Sequence, residues 1–341
     1  MRQYQPPFTF TNAIVASVAR ISERLGAWTA RSATTLSPKL RRGNRIQSIQ
    51  ASLAIEHNTL SIEQVSAVID DQPVFGPPRE IQEVRNAFAA YEKLDQWSAS
   101  NEHHLLEAHQ LLMSGLLDGL GQYRKAGVGI YDGKTLVHMA PPASRVPQLM
   151  DDLLGWLALT DLPPLVASCL FHYEFEFIHP FADGNGRMGR LWQTLILSQW
   201  RPELAWLPVE SVVRDRQHAY YAALASADHD AEATPFVAFM LEALEQALHI
   251  ALQENDGEGE ASDRVNDGVN GGVNDEITVK LDSLDQQLLD AMRENPYVTQ
   301  ESLVALSGKS LSTIQRRIRK LRQYHVQRIG SDKSGYWQVK Q

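Results

Sequence analysis

Residues 179–190 constrain the fold of this chain more than any other stretch. They read His-Pro-Phe-Ala-Asp-Gly-Asn-Gly-Arg-Met-Gly-Arg and lie between two mostly apolar segments, Leu165 to Ile178 and Met188 to Trp200. Each apolar segment is long enough for a buried helix, and Pro180 prevents the first helix from continuing much past Ile178. We therefore predict two buried helices joined by a glycine-containing loop.

This loop has the residues of a phosphate site. The start of a helix offers free backbone N–H groups and the positive end of the helix dipole, which attract anions. Gly184 and Gly186 allow the backbone to approach a ligand closely. Arg187 and Arg190 are three residues apart and share one helix face, where each guanidinium can bind phosphate oxygens with two hydrogen bonds.

Two further residues of the stretch have the chemistry of group transfer. Asp183 offers hard oxygen ligands for Mg²⁺, and His179 is of the residue type whose usual pKa allows it to accept a proton near neutral pH. Taken singly, either residue could be explained by a structural role alone, as a helix cap or as part of a turn. Two arginines beside apolar helices would nevertheless be an unpaired cationic cluster without an anion. The set as a whole therefore indicates nucleotidyl or phosphoryl transfer to a hydroxyl group.

The stretch resembles the active-site pattern of the Fic family, His-Pro-Phe-x-Asp/Glu-Gly-Asn-Gly-Arg-x-x-Arg, at every specified position. The resemblance implies a helical domain that transfers AMP from ATP to a protein hydroxyl. It implies that His179 deprotonates the target hydroxyl, that Asp183 holds Mg²⁺, and that Arg187 and Arg190 bind the β- and γ-phosphates. The residues that it assigns to the anion hole are Gly184, Asn185 and Gly186.

The full set of nucleotide-binding residues predicted from the resemblance is Gly184, Asn185, Gly186, Arg187, Met188, Gly189, Arg190, Tyr220 and Tyr221. Tyr220 and Tyr221 fall where Fic-like proteins place residues near the adenine. A packing role for these two rings remains an alternative.

A second resemblance concerns residues 52–56, within a predicted helix from Ile46 to Glu56. Ser52 and Glu56 are four residues apart and so share one helix face. They resemble the inhibitory motif of the family, Ser/Thr-x-x-x-Glu followed by Gly or Asn. The motif implies that Glu56 pairs with Arg190 and obstructs the place of the γ-phosphate. His57 departs from the motif, and we expect it to end the helix with a positive φ.

Residues 127–140 change to a strand pattern around Asp132-Gly133, a strong hairpin signal. A cover over the core would explain such a hairpin. The resemblance implies instead a flap, Gly127 to Met139, whose edge pairs with the backbone of the target protein.

Other features of the first 253 residues indicate structural roles. Ser61 to Gln64 resembles a capping box that opens a helix from Ile62 to Ile69. Cys169 is expected to be a buried, inert thiol. The basic residues expected in a solvated loop are Lys39, Arg41, Arg42 and Arg45. The histidines assigned to surface or capping positions are His103, His104 and His109.

The C-terminal part differs from the rest in composition. Residues 254–276 are rich in Gly, Asn and Asp and predict a flexible linker. Residues 277–341 carry 11 Lys and Arg against 6 Asp and Glu, with a helical pattern and a final hairpin that resemble a winged helix-turn-helix. The basic residues of its second helix are Arg316, Arg317, Arg319, Lys320 and Arg322. This domain is expected to dock either DNA or protein.

The predicted fold is mainly α: a Fic-type helical bundle with a β-hairpin flap, followed by a small winged helix-turn-helix domain. The expected domains are an N-terminal helical region with the inhibitory helix (1–110), the catalytic core (111–253), the linker (254–276) and the winged helix (277–341). An apolar fraction of 43% with 21% charged residues is typical of soluble globular proteins. Because no signal peptide or uninterrupted apolar run of membrane length was found, a cytoplasmic protein without membrane contact is expected.

The resulting prediction is an autoinhibited protein adenylyltransferase that uses ATP and Mg²⁺ to modify a Ser, Thr or Tyr hydroxyl of a target protein. Self-modification and homodimer formation are further expectations for its partners. Two alternatives stay open. One is removal of AMP at the same site, with Glu56 positioning a water, and the other is a DNA-binding regulator with a nucleotide-sensing Fic-like domain.

Overall fold

The computed structural model describes residues 4–35, 38–132, 135–262 and 283–307, and residues 309, 313–314, 317–318, 321, 326–329 and 336–339 of the C-terminal part. The chain divides into two compact units, Met1–Asn266 and Asp267–Gln341. Each unit has its own cluster of buried apolar residues. The predicted N-terminal region and catalytic core therefore belong to one unit.

Among the described residues of the first unit, all regular secondary structure is helical except for one antiparallel hairpin. Its helices are α1 (Asn12–Thr35), α2 (Pro38–Ile55), α3 (Ile62–Ile69), α4 (Pro78–Glu92), α5 (Glu102–Leu112), α6 (Val146–Leu159), α7 (Pro164–Ile178), α8 (Asn185–Trp200), α9 (Val209–Asp215), α10 (Gln217–Asp230) and α11 (Thr234–Ser262). Short 3₁₀ helices cover Leu94–Gln96, Ala143–Arg145 and Pro202–Trp206. The hairpin consists of β1 (Gly129–Asp132) and β2 (Thr135–Met139).

Helix α7 forms the centre of the first unit. It packs against α6, α8 and α11, and nearly all of its residues are buried. A helix that is apolar on all sides can only be stable inside the fold, which explains the almost continuous apolar sequence of this segment. Residues 179–190 follow directly, so they start from a helix that is buried along nearly its whole length.

Gly26 lies inside the first helix and does not end it. Helix α1 continues through Gly26 to Thr35. A glycine costs a helix only about 1 kcal/mol, and Ile21, Leu25 and Trp28 are buried at 0%, 3% and 1% exposure on either side of it. Burial of this apolar stripe outweighs the local cost of the glycine.

The interpretation of the basic stretch as a solvated loop was also wrong, because these residues belong to helix α2. Arg45 is only 4% exposed. Its guanidinium carbon lies 4.8 Å from the ring centre of Tyr91 and 4.4 Å from that of Trp206. Such cation–π contacts stabilise a cation that has lost water, and they anchor the N-terminal half of α2 to the core.

Two predictions that rest on local sequence signals are confirmed. Ser61 caps α3, since its side chain accepts a hydrogen bond from the Gln64 backbone while the Gln64 side chain accepts one from the Ser61 backbone. The hairpin forms as predicted, with Gly129 opposite Met139 and Asp132 opposite Thr135. Residues 133–134 at its turn lie outside the described residues.

The last helices of the first unit are α9, α10 and α11. Arg216 separates α9 from α10. Helix α11 extends through residues 254–262 of the predicted linker, and the rest of the linker lies outside the described residues. The segment Thr234–Gln253 of α11 is long and apolar enough to cross a membrane, but more than half of it is buried in the fold, as in a core helix.

The second unit contains α12 (Ser283–Glu294), α13 (Gln300–Ser307), β3 (Val326–Ile329) and β4 (Tyr336–Val339). The two strands pair antiparallel, as predicted. Arg317 does not serve as a free cation, because its guanidinium pairs at 3.2 Å with Asp285, which is fully buried. The other basic residues predicted on the same helix, at positions 316, 319, 320 and 322, lie outside the described residues.

Candidate active site

His179 occupies the turn that ends helix α7. Its φ of 51° is left-handed, and its N–H donates to the Phe175 carbonyl at 2.9 Å. A left-handed conformation is uncommon for a residue other than glycine and is often found at functional sites. Together with Pro180, it turns the chain away from α7 and begins the following loop.

The loop between α7 and α8 is fixed by Asn185 and Gly184. The Asn185 side chain is buried and makes two 2.9 Å hydrogen bonds, one to each backbone polar group of Phe181. Gly184 has a φ of 86°, and a Cβ there would lie 2.6 Å from Met113 Sδ. The first N–H groups of α8 lack helical acceptors, as at the start of any helix. The loop thus presents the start of α8 as a potential anion site.

The two arginines of α8 are buried and paired with carboxylates. Arg187 is 5% exposed and lies 3.3 Å from Glu83 and 3.2 Å from Asp183. Arg190 is 3% exposed and lies 2.8 Å from Glu56. Burial by itself would lower the pKa of Arg190, but the Glu56 carboxylate raises it above its usual value. The Arg190 side chain is therefore held as a cation near the start of the helix.

Ser52 and Glu56 bind Arg190 together. Arg190 Nε donates to the Ser52 hydroxyl at 3.0 Å, and Nη2 donates to the Ser52 carbonyl at 3.0 Å and to Glu56 Oε1 at 2.8 Å. A Cβ added to Gly186 would overlap Glu56 Oε1. The Glu56 carboxylate thus lies against the first turn of α8, in the space that this turn offers to an anion.

Helix α2 ends next to this carboxylate. His57 has a φ of 67°, which confirms the predicted positive value. Asn58 is 8% exposed, and its amide donates to Glu83 Oε2 at 2.9 Å and to the Glu80 carbonyl at 3.2 Å. Because Glu83 also pairs with Arg187, the end of α2 is connected to both arginines of α8.

Asp183 lies at the open side of the loop. Its carboxylate is 42% exposed and accepts a hydrogen bond from the Gly184 N–H at 2.6 Å. It also lies 3.2 Å from Arg187 and 3.4 Å from Arg79. No cluster of three or more His, Cys, Asp or Glu side chains that could hold a metal by themselves occurs among the described residues.

The expectation that His109 is a surface or capping residue was wrong. It is fully buried and stacks on Phe181, with ring centres 3.7 Å apart. The Gly121 N–H donates to its Nδ1 at 3.1 Å, so the proton of the neutral ring is on Nε2, which lies 3.1 Å from the Asp183 carbonyl. Burial lowers the pKa of His109. This neutral ring supports the backbone of Asp183.

Glu83 and Arg124 also belong to the site but were not predicted from the sequence. Both are buried and bind the reactive stretch through contacts that span more than 50 residues of chain. Nothing in the sequence next to a single charged residue, in a predicted amphipathic helix or loop, indicates a partner so far away in the chain. The one available hint is that arginine and glutamate are rarely buried unless paired.

The remaining predicted nucleotide-binding residues occupy different environments. Met188 is fully buried in the core, and a Cβ on Gly189 would lie 2.9 Å from both His172 and Glu176. Tyr220 is 2% exposed, and its hydroxyl lies 3.2 Å from His172 Nε2. The Tyr220 ring is therefore a core ring without an open face for stacking, whereas Tyr221 is 48% exposed.

The fold and the site define a helical domain in which a glycine-containing loop connects a histidine at the end of one buried helix to two buried arginines in the next helix. Residues 99–197 match the family model described as Fic/DOC family, and residues 281–326 match the model described as winged helix-turn-helix DNA-binding. A crystal structure of a Fic family protein from Desulfovibrio desulfuricans G20 is 49% identical, with a TM-score of 0.71 over 99% of this chain and 98% of that chain. The chain belongs to the Fic family.

Curated relatives are also similar to part of this chain. Protein adenylyltransferase fic-1 of Caenorhabditis briggsae is 31% identical over 55% of this chain and 38% of the relative. Protein adenylyltransferase Fic of Nematostella vectensis is 28% identical over 59% of this chain and 47% of the relative. The chain thus spans less than half the length of these two proteins.

Proposed function

We propose that this protein is an autoinhibited adenylyltransferase, which transfers AMP from ATP to a Ser, Thr or Tyr hydroxyl of a target protein. The names of the curated relatives support this reaction class. The observation that carries the proposal is the position of Glu56: its carboxylate lies 2.8 Å from Arg190 and against the first turn of α8, as an anion bound there would.

In the proposed reaction, the target hydroxyl oxygen attacks the α-phosphorus of ATP. The bond from that phosphorus to the oxygen shared with the β-phosphate breaks, and pyrophosphate leaves. His179 accepts the proton of the attacking hydroxyl. Arg187, Arg190 and the N–H groups at the start of α8 stabilise the negative charge of the phosphates.

Asp183 is the residue that would hold Mg²⁺. Its partly exposed carboxylate adjoins the proposed phosphate site, and Mg²⁺ commonly takes one or two protein carboxylates and completes its shell with waters and substrate phosphates. A single available carboxylate therefore fits this ion. When bound, the ion neutralises charge on the phosphate oxygens.

The proposed autoinhibition follows from competition for Arg190. The γ-phosphate needs the same guanidinium that Glu56 and Ser52 bind. A hydrogen bond between charged groups contributes about 1.5–3 kcal/mol, so ATP must displace a favourable contact before it binds in the reactive position. Removal of Glu56 is expected to open the site without loss of the other phosphate contacts.

The β1–β2 hairpin is proposed to bind the target protein. Within the described residues each of these strands pairs only with the other, so each also has an outer edge. An extended segment of a target can add to such an edge through backbone hydrogen bonds. In this mode of binding, the backbone of the target would position its hydroxyl group, and the side chains around that hydroxyl would contribute little.

The position of the label transferred from ATP tests the proposed function. The Glu56→Gly variant is incubated with Mg²⁺, cell extract and ATP that is labelled at either the α- or the γ-phosphate. We expect α-label on protein, including self-modified enzyme, and release of pyrophosphate. Protein that carries only γ-label would indicate phosphoryl transfer, and loss of AMP from a previously modified target without incorporation would indicate the reverse reaction.

The winged helix unit is proposed to dock the enzyme to DNA or to a protein, which the matched module supports. Titration of the full chain with duplex DNA over a series of salt concentrations separates the two. DNA docking predicts a binding constant that falls steeply with salt, because phosphate contacts release counterions. If the chain does not bind duplex DNA even at low salt, the winged helix unit docks to a protein instead.

A further inference from the structure

We propose that Arg124 is a positioning residue for the transfer reaction, because one guanidinium holds both the backbone of His179 and the two ends of the β1–β2 hairpin. The inference rests on the proposed function, in which His179 accepts the proton and the hairpin binds the target. It assigns to Arg124 the relative placement of these two parts.

Arg124 binds the end of helix α7 at three points. Its Nε donates to the His179 carbonyl at 2.7 Å, and Nη2 donates to the Ile178 carbonyl at 3.2 Å. Its backbone N–H donates to the Pro180 carbonyl at 2.9 Å. The last carbonyls of a helix lack helical donors, and a cation there is further favoured by the helix dipole. The left-handed turn at His179 is thus held from outside the helix.

The same side chain binds the base of the hairpin. Arg124 Nη1 donates to the Ala126 carbonyl at 2.8 Å, and Nη2 donates to the Pro141 carbonyl at 2.6 Å. Ala126 lies three residues before β1, and Pro141 lies two residues after β2. A backbone hydrogen bond from Ala140 to Val128, at 3.2 Å, closes the hairpin between them. Arg124 therefore joins both strands of the hairpin to α7.

The contacts require an arginine. The side chain is only 5% exposed, and the partners that the described residues provide for its guanidinium are four carbonyl oxygens. The planar guanidinium has five N–H donors in a fixed arrangement, whereas lysine has three donors on one atom. A lysine at this position could not reach both the helix end and the two hairpin ends.

Burial of this cation among carbonyl groups also indicates its role. Burial lowers the pKa of Arg124, which opposes stability, and among the described residues no carboxylate pairs with it. What the buried cation provides is a fixed geometry. The backbone of His179 and the hairpin that would bind the target are attached to the same side chain. A misplacement of about 1 Å can reduce a rate about 100-fold.

The test uses Arg124→Ala and Arg124→Lys in the Glu56→Gly background. We expect kcat for AMP transfer to fall about 100-fold in Arg124→Ala, while the Kd for ATP changes less than about threefold, because the phosphate contacts lie on α8. Guanidinium ion at millimolar concentration is expected to restore part of kcat in Arg124→Ala but not in Arg124→Lys. The exposed Arg145, four residues beyond Pro141, provides the matched control, since Arg145→Ala should retain full activity.

Two kinetic results would overturn the inference, and a hydrogen-exchange result provides a third test. One is an unchanged kcat in Arg124→Ala. The other is a parallel loss of ATP binding and thermal stability without guanidinium rescue, which would indicate a role in folding alone. Amide hydrogen exchange provides a readout that needs no activity: Arg124→Ala should raise exchange in residues 128–140 and 175–181 together, and a rise in only one segment contradicts the inference. If Glu56→Gly itself transfers no AMP, the proposed function fails, while hydrogen exchange still decides the role of Arg124.

Discussion

Replacement of Glu56 by glycine is expected to increase AMP transfer about 10- to 100-fold. The range follows from the loss of one charge-assisted hydrogen bond of about 1.5–3 kcal/mol, at about 1.4 kcal/mol for each factor of ten. Glu56 lies just beyond the last helical residue of α2, so a glycine there costs less than inside a helix. The initial rate of label transfer at limiting ATP measures the effect, and calorimetry measures the accompanying gain in ATP affinity.

Two matched variants separate the charge of this residue from its shape. Glu56→Gln keeps the side-chain volume but removes the negative charge, so it should activate the enzyme less than glycine does. Ser52→Ala removes one acceptor of Arg190 but leaves the Ser52 carbonyl in place, and its effect should be smaller still. Equal rates for wild type and Glu56→Gly, together with equal ATP affinity, would exclude the proposed autoinhibition.

Loss of the imidazole of His179 is expected to reduce kcat about 10²- to 10⁴-fold, the usual contribution of a general base. Asparagine is the more informative replacement, because it tolerates the left-handed backbone at this position better than alanine does. The Kd for ATP should remain nearly constant, since the phosphate contacts come from α8. Single-turnover transfer in the Glu56→Gly background provides the measurement.

An exposed histidine provides the control for this experiment. His103→Ala, at a surface position of α5, should retain the kcat of the parent variant. If His179→Asn keeps more than about a tenth of the parental kcat, the proton must go to another acceptor. In that case the mechanism proposed for the transfer would have to be replaced, even if AMP is still the transferred group.

The sequence predicts the site well where the signals are local. Pro180, the glycines and the apolar flanks determine the α7–loop–α8 arrangement within a span of about 36 residues, and the structure has that arrangement. The capping box at Ser61 and the hairpin around Asp132 are also set by neighbouring residues. In each case the groups that must pair lie close together in the chain.

The predictions failed where contacts between distant segments decide the outcome. Arg45 was interpreted as a solvated residue because nothing nearby indicates Tyr91 and Trp206 as partners. His109 could not be distinguished from a surface histidine, since its two hydrogen-bond partners follow it by 12 and 74 residues. Tyr220 shows the same limit, because the sequence left both an adenine contact and a packing role open for its ring. The ring is buried at 2% exposure beside His172, a residue 48 positions away in the chain.

The anchoring of α2 determines how much of the protein must move when Glu56 leaves Arg190. Arg45 fixes the helix about 16 Å, measured along its axis, from the carboxylate, and Leu53 and Ile55 are 2% and 1% exposed. Glu56 follows the helix and is itself one-third exposed, so rotation about its own side-chain bonds is sufficient to vacate the anion position. We therefore expect the site to open by a change in the rotamer of one side chain, while the buried residues of α2 stay in place.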